Sequence, residues 1–185
     1  FIPESIFFNF LKTRIGFLDG VVVSGGEPTL QTDLIEFIKR IRELGYIVKL
    51  DTNGTNFNVV EKIIKEKLVE YIAMDIKAPI EKYKEVTGVS VDTDCILKIV
   101  DLIKNSGIDY EFRTTVVKEQ LSIEDLKSIA NFLSGSKKYY LQKFRNNTEV
   151  LDPNFANKTT YTDLEFKELC EFIKENFNIE NCDFR

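Results

Sequence analysis

Five short polar sequences, each at or just after the end of an apolar run, carry the residues best able to do chemistry. Ser24-Gly25-Gly26-Glu27-Pro28-Thr29 contains two glycines, which let the backbone turn sharply and approach a ligand. Glu27 adds a carboxylate beside free carbonyls. That is an acceptor-rich edge suited to an ammonium group, unlike the Gly-x-x-x-x-Gly-Lys cradle for phosphate. In Asp51-Thr52-Asn53-Gly54-Thr55, Asp51 can accept from ribose hydroxyls, as acidic residues at strand ends do in dinucleotide folds. Asp75 and Lys77 stand two residues apart and share a face in an extended chain. Lys77 can meet a ligand carboxylate. Asp75 can hold Lys77, or with Asp51 ligate a small cation through oxygen. In Glu111-Phe112-Arg113-Thr114-Thr115-Val116, Arg113 points to the opposite face from Phe112, and an arginine inside a buried strand is costly unless paired. Gln142 and Lys143 complete the series. Singly, each sequence also has a plain structural explanation: a tight turn, an Asn-Gly helix entry, a surface ion pair. Together they suit a zwitterionic ligand carrying a ribose, with acceptors for the ammonium, Lys77 or Arg113 for the carboxylate, and Asp51 for the sugar.

The elements that must position these residues alternate in hydrophobic period. Apolar or β-branched runs at 20–24, 46–50, 71–75, 110–117 and 139–142 read as five strands, apolar on both faces as in a sheet covered by helices. Between them lie helical stripes: Leu34, Ile38, Ile41 and Leu44; Val59, Ile63 and Ile64; Ile96, Ile99, Val100 and Ile103; Leu126, Ile129, Ala130 and Leu133. Gly45, Gly107 and Gly135 stand where left-handed C-caps are cheap. Asp33 with Glu36, Ser122 with Asp125, and Thr162 with Glu165 have capping-box spacing. Residues 3–12 read as a helix before the first strand, 149–161 as the most loop-like stretch, and 162–177 as a final helix. Alternating strands and helices predict a parallel α/β sheet in one domain spanning 1–185, with its core at about 18–145 and a C-terminal loop and helix at about 146–185. Its chemistry belongs at the C-terminal strand ends.

Composition narrows the function. The 185 residues hold fifteen Phe and seven Tyr, enough bulk for a core, and a formal charge of −5, which argues against nucleic acid as a partner. No apolar stretch reaches the ~20 residues that span a bilayer. There is no histidine, which excludes Ser-His-Asp and Cys-His catalysis and His-built zinc sites. Cys95, Cys170 and Cys182 are widely spaced and odd in number, as in a cytoplasmic protein, and Cys170 shares a buried stripe with Phe166, Leu169, Ile173 and Phe177.

The strand-end sequences at 24–29, 50–54, 74–77 and 112–117 resemble, in order and spacing, those of radical S-adenosylmethionine activating enzymes. The resemblance runs over about 20–145. Tyr110 to Thr115 and Leu141 to Phe144 are most similar to the anaerobic ribonucleotide reductase activating type, with the pyruvate formate-lyase activating enzymes as near relatives. It implies a partial (βα)6 TIM-like barrel, a [4Fe-4S] cluster, and S-adenosylmethionine split to a 5′-deoxyadenosyl radical that takes hydrogen from a glycine of a partner enzyme. A flavodoxin or ferredoxin would supply the electron. By the same resemblance Gly25, Gly26 and Glu27 meet the methionine ammonium, Asp51 the ammonium or ribose region, and Lys77 the carboxylate. Asn53, Arg113 and Gln142 join the cofactor site, Gln142 lying near where some relatives place a histidine. Asp51, Thr52 and Asp75 are expected to form a monovalent-cation site.

One departure is large. The family holds its cluster with Cys-x-x-x-Cys-x-x-Cys, and no cysteine precedes Gly25 here. The expectation is a chain truncated at its N-terminus, without the first βα unit and inactive alone. Two other readings stand beside it: a small-molecule radical enzyme such as a 7-carboxy-7-deazaguanine synthase, and a cluster-free module binding a nucleoside or amino acid.

Overall fold

The computed structural model describes residues 2–145 and 152–185. Among these, six strands form one wholly parallel sheet in sequential order: β1 (Gly20–Val23), β2 (Ile47–Thr52), β3 (Tyr71–Asp75), β4 (Asp109–Val116), β5 (Lys138–Lys143) and β6 (Asn181–Phe184). Helix α1 (Glu4–Lys12) precedes the sheet. Helices α2 (Leu34–Glu43), α3 (Phe57–Lys65), α5 (Thr93–Lys104), α6 (Ile123–Phe132) and α7 (Asp163–Phe177) make the crossovers, and short α4 (Tyr83–Thr87) lies in the β3–α5 connection. This is the expected architecture of an incomplete α/β barrel.

The core lies between the sheet and its helices. Val48, Leu50, Ile72, Met74, Phe112, Tyr139 and Leu141 point outward into it, against Ile38, Ile63, Ile99, Ile129 and Phe166. Each crossover stripe buries because its apolar residues recur at helical spacing. Ser122 and Thr162 form the expected capping boxes. Asp33 does not: its backbone, at φ −98° and ψ 2°, is not extended, and its side chain makes no cap hydrogen bond.

The strands are not apolar on both faces. Only the helix side is. The opposite, concave face carries Lys49, Asp51, Tyr71, Asp75, Glu111, Arg113, Tyr140 and Gln142, because an open barrel leaves its interior to water and ligand rather than to a second helix layer. At the β1 edge this face is apolar, with Val22 and Ile47 both more than half exposed.

Two elements were not expected. One is α4. The other is β6, which pairs Leu141 with Phe184 and Tyr139 with Cys182, and so adds a strand after the final helix. Part of the expected loop at 149–161 lies outside the described residues; the rest contains a helical turn at Pro153–Phe155.

Candidate functional site

The polar strand ends meet on the concave rim. Parallel register sets Asp75, the last residue of β3, beside Arg113 of β4. Arg113 Nε donates to Asp75 Oδ1 at 2.8 Å, and its Nη1 donates to Asp51 Oδ2 at 3.2 Å. The Ser24 hydroxyl donates to the same Asp51 oxygen at 3.3 Å. Lys77 Nζ donates to Asp75 Oδ2 at 3.1 Å. Thr115, two residues beyond Arg113, donates its hydroxyl to Gln142 Oε1 at 3.3 Å. Five successive strands therefore contribute to one rim.

A second layer lies beneath it. Glu111, 4% exposed, accepts from Arg185 Nη2 at 2.7 Å and from the Tyr71 hydroxyl at 3.2 Å. Lys49 Nζ sits 3.6 Å from both Glu111 Oε1 and Asp51 Oδ1. Burial alone would raise the Glu111 carboxyl. The Arg185 hydrogen bond and the charges of Arg185, Lys49 and Arg113 outweigh it and hold the group below the usual carboxylate range. For Arg113, burial works against the charge, and the Asp75 and Asp51 carboxylates overcome it, moving the guanidinium up. Burial also raises the Tyr71 hydroxyl, with Glu111 adding to the effect.

Linked by ion pairs, this network holds four cations (Lys49, Lys77, Arg113, Arg185) and three carboxylates (Asp51, Asp75, Glu111). It has room for one more negative charge. It also contains an orphan: Asp51 Oδ1 is buried with no hydrogen-bond partner. A buried acceptor without a hydrogen bond is uncommon, and the charge nearest to it is Lys49 Nζ at 3.6 Å.

The other expected residues divide into two groups. Gly25 and Gly26 adopt φ +99° and +47°, and nothing lies within 4 Å of where a Cβ would stand, so their backbone faces open space. Glu27 turns inward instead. Its Oε1 accepts from Thr29 N–H (3.1 Å), Thr29 hydroxyl (2.6 Å) and Thr52 hydroxyl (2.8 Å), and its Oε2 from Asn53 N–H (2.6 Å). Its carboxylate ties the loop after β1 to that after β2. Asn53 Oδ1 closes a turn on Thr55, accepting from its N–H and hydroxyl. Thr52 lies on the helix side of β2, opposite Asp51. The Arg113 guanidinium bridges Asp51 and Asp75, and among the described residues no three His, Cys, Asp or Glu side chains cluster as a metal site.

Beside Lys77 opens a cleft of about 570 Å³, lined by Asn53, Thr55, Tyr83, Thr115 and Phe144, with an apolar wall from Val86, Val89 and Val91. Tyr83 fixes its inner corner: its hydroxyl accepts from the Lys77 N–H at 3.1 Å, and burial pushes its own pKa up to about 12.

Lys49, Tyr71 and Arg185 were not singled out from sequence, nor was Glu111 given a role. The period-two alternation Lys49, Asp51 and Glu111, Arg113 was the available signal for two of them.

The Radical SAM superfamily profile matches residues 8–133. The chain belongs to that superfamily. Within it, similarity is to the glycyl-radical enzyme activating type, as the strand-end sequences led us to expect. One protein of Methanocaldococcus jannaschii, named provisionally as such an activating enzyme, is 38% identical over 164 residues, which is 86% of this chain and 68% of its own length. A second from the same organism, named likewise, is 27% identical over 145 residues, 74% of this chain and 55% of its own. The chain thus spans about two thirds of one relative and just over half of the other. A domain of pyruvate-formate lyase-activating enzyme from Bacteroides vulgatus shares the fold, with TM-score 0.70 at 17% identity, covering 91% of this chain and 99% of that domain.

S-adenosylmethionine fits the residues present: an open backbone at Gly25 and Gly26, and in Lys77 a cation with one carboxylate partner beside a cleft. An iron–sulfur cluster does not fit these cysteines. Cys170 and Cys182 are buried against each other between α7 and β6, and Cys95 stands apart near the Gly54 and Thr55 carbonyls.

Proposed function

We propose that this chain is the cofactor-binding sheet of an enzyme that generates a glycyl radical on a partner protein. The carrying observation is the rim itself, where Lys77, the open backbone of Gly25 and Gly26, and the Asp51–Arg113–Asp75 ion pairs lie together. In this reading the carbonyls around Gly25 and Gly26 accept the ammonium of S-adenosylmethionine. Lys77 takes its carboxylate, because Lys77 has one carboxylate partner and a side chain 40% exposed, whereas Arg113 is ion-paired with three carboxylates at 12%. Arg113 positions Asp51 and Asp75. Asp51 faces the ribose region from the rim, where its Oδ2 meets Ser24 and Arg113. Thr115 and Gln142 line the same rim, and the apolar side of the cleft excludes water from the reacting end. Glu27 holds the two binding loops in place from behind and does not touch the ligand.

Given one electron from a reduced cluster, bound S-adenosylmethionine would release methionine and supply a 5′-deoxyadenosyl radical able to take a hydrogen atom from a glycine. In this reading the [4Fe-4S] cluster takes ligands other than Cys95, Cys170 and Cys182. The partners are a glycyl radical enzyme of the anaerobic ribonucleotide reductase kind and a flavodoxin or ferredoxin donor, in the cytoplasm. Among the described residues no helix is long and apolar enough to cross a membrane.

The test is electron paramagnetic resonance of the full-length, reduced protein with S-adenosylmethionine and the candidate partner. A glycine-centred doublet on the partner supports the reading. Cofactor cleavage without that doublet, but with turnover of a small heterocycle, overturns it.

A further inference from the structure

Lys77 is given the ligand's carboxylate, yet it stands past the end of the strand that delivers it. The last register pair of β3 is Asp75 with Arg113. Ile76 is still anchored to β4: its N–H donates to the Arg113 carbonyl at 2.7 Å, and its carbonyl accepts from the Thr114 hydroxyl at 2.9 Å. Lys77 is the first residue beyond these bonds. Its part-buried N–H needs an acceptor, and it donates to the Tyr83 hydroxyl at 3.1 Å, a side chain six residues further on.

Tyr83 suits this task because it is itself held. Its side chain is buried. The Thr87 hydroxyl donates to its carbonyl at 2.7 Å, which closes the turn of α4 around it. The neighbouring Lys82 donates to Asp125 Oδ2 at 2.8 Å, and Asp125 is fixed in the Ser122 capping box of α6. α4 is thereby tied to a crossover helix of the core.

The placement matters because Lys77 carries its charge on a flexible four-carbon stem, whose freedom is lost when a ligand orders it. The Asp75 Oδ2 contact at 3.1 Å must be shared or given up to meet a ligand. With the backbone fixed, binding has only the stem to order. With the backbone loose, binding must order both.

We propose that Tyr83 is a positioning residue, whose hydroxyl fixes the Lys77 backbone so that the ammonium stands ready for the ligand's carboxylate. The inference rests on the functional reading above, which gives that carboxylate to Lys77. Tyr83 acts through Lys77 and not by touching the carboxylate.

The experiment is a double-mutant cycle on equilibrium binding of S-adenosylmethionine to the full-length protein, with Tyr83→Phe, Lys77→Ala and the double variant. Phenylalanine keeps the buried ring and removes only the acceptor. Tyr83→Phe should weaken binding about fivefold, the scale of one hydrogen bond, and by less than about twofold once Lys77 is alanine. A merely structural tyrosine would give the same loss in both backgrounds. That result, or no loss in the first background, overturns the proposal. If Lys77→Ala itself leaves the affinity unchanged, the carboxylate assignment in the functional reading is what fails, and the role of Tyr83 fails with it. Should Tyr83→Phe prove poorly folded, Lys82→Met decides the matter, since its side chain is 38% exposed and its loss releases α4 from Asp125. It should weaken binding only where Lys77 is present, and a loss independent of Lys77, or none, overturns the proposal.

Discussion

Arg113 of β4 and Asp75 of β3 are register partners whose side chains meet at 2.8 Å on the concave face, so the rim is clamped across the middle of the sheet. The clamp extends to Asp51, which puts one guanidinium between two carboxylates that would otherwise repel. Breaking a buried pair costs about 3–5 kcal/mol because the remaining charge is stranded. The carboxylates here are 18% and 28% exposed, so water offsets part of that cost. Arg113→Met should therefore lower unfolding stability by about 2 kcal/mol in urea titrations. Adding Asp75→Asn should recover part of the loss, since it removes one stranded charge. A double variant no more stable than the single one would mean that the pair adds no coupling.

Lys77 behaves oppositely. Its ion pair with Asp75 is partly open to water on the Lys77 side, and surface pairs contribute about 0–1 kcal/mol. Lys77→Ala should leave the unfolding midpoint nearly unchanged while weakening S-adenosylmethionine binding to the full-length protein more than tenfold. Unchanged affinity in a titration would remove Lys77 from the site.

At the start of α7, hydrogen bonds from the Thr162 N–H, its hydroxyl and Lys118 bring the Glu165 carboxyl from 4.5 to about 2. The folded pKa is below the unfolded one, so the folded state resists protonation. The stabilisation is complete above about pH 4.5 and is lost as pH falls toward 2. Glu165→Gln should flatten the pH dependence of thermal unfolding across that window, and Thr162→Ala should do so in part. Circular dichroism melts at stepped pH check this. Equal slopes in wild type and variants would show that the capping box is not the titrating element.

Much of this site was legible because parallel βα folding gathers strand ends, so five polar sequences after five apolar runs had to converge. What sequence could not show was which polar groups satisfy one another. Glu27 reads as a ligand carboxylate, yet Thr29, Thr52 and Asn53 take up its oxygens, because the loops after β1 and β2 abut in register. Arg113 bridges Asp51 and Asp75, and cross-strand pairing of this kind is not written in local spacing. β6 was missed for another reason. Four residues, Asn181 to Phe184, are too few for a period to stand out, and only Cys182 and Phe184 face the helices. The concave face is apolar only at its β1 edge, at Val22 and Ile47, while Lys49, Glu111 and Arg113 alternate with the buried residues.

The cysteines should react in a fixed order. Cys95 is partly exposed at the start of α5, while Cys170 and Cys182 are buried. Their mutual hydrogen bond lowers the Cys170 thiol and raises that of Cys182. An alkylating reagent should modify one thiol on the native protein and the other two only on unfolding, as counted by intact mass. Fast labelling of all three would mean that α7 and β6 open locally.

Gly54 gives the sharpest steric prediction. Its φ is +72°, in the left-handed region, and a Cβ there would stand 2.1 Å from Met74 Cε. The turn cannot relax freely, because the Gly54 N–H donates to the Thr52 hydroxyl, which is itself bound to Glu27. Gly54→Ala combines a left-handed penalty of about 1–2 kcal/mol with overpacking of about 1–3 kcal/mol. The flexible Met74 side chain absorbs some of the clash, so a loss of about 2–3 kcal/mol is expected in urea unfolding. Because Thr52 and Asn53 both lean on Glu27, the strain should also shift Asp51 and weaken S-adenosylmethionine binding in the full-length protein. Pairing the substitution with Met74→Ala separates the two contributions. If the clash dominates, the second change partly restores stability. If the backbone conformation dominates, the two losses simply add.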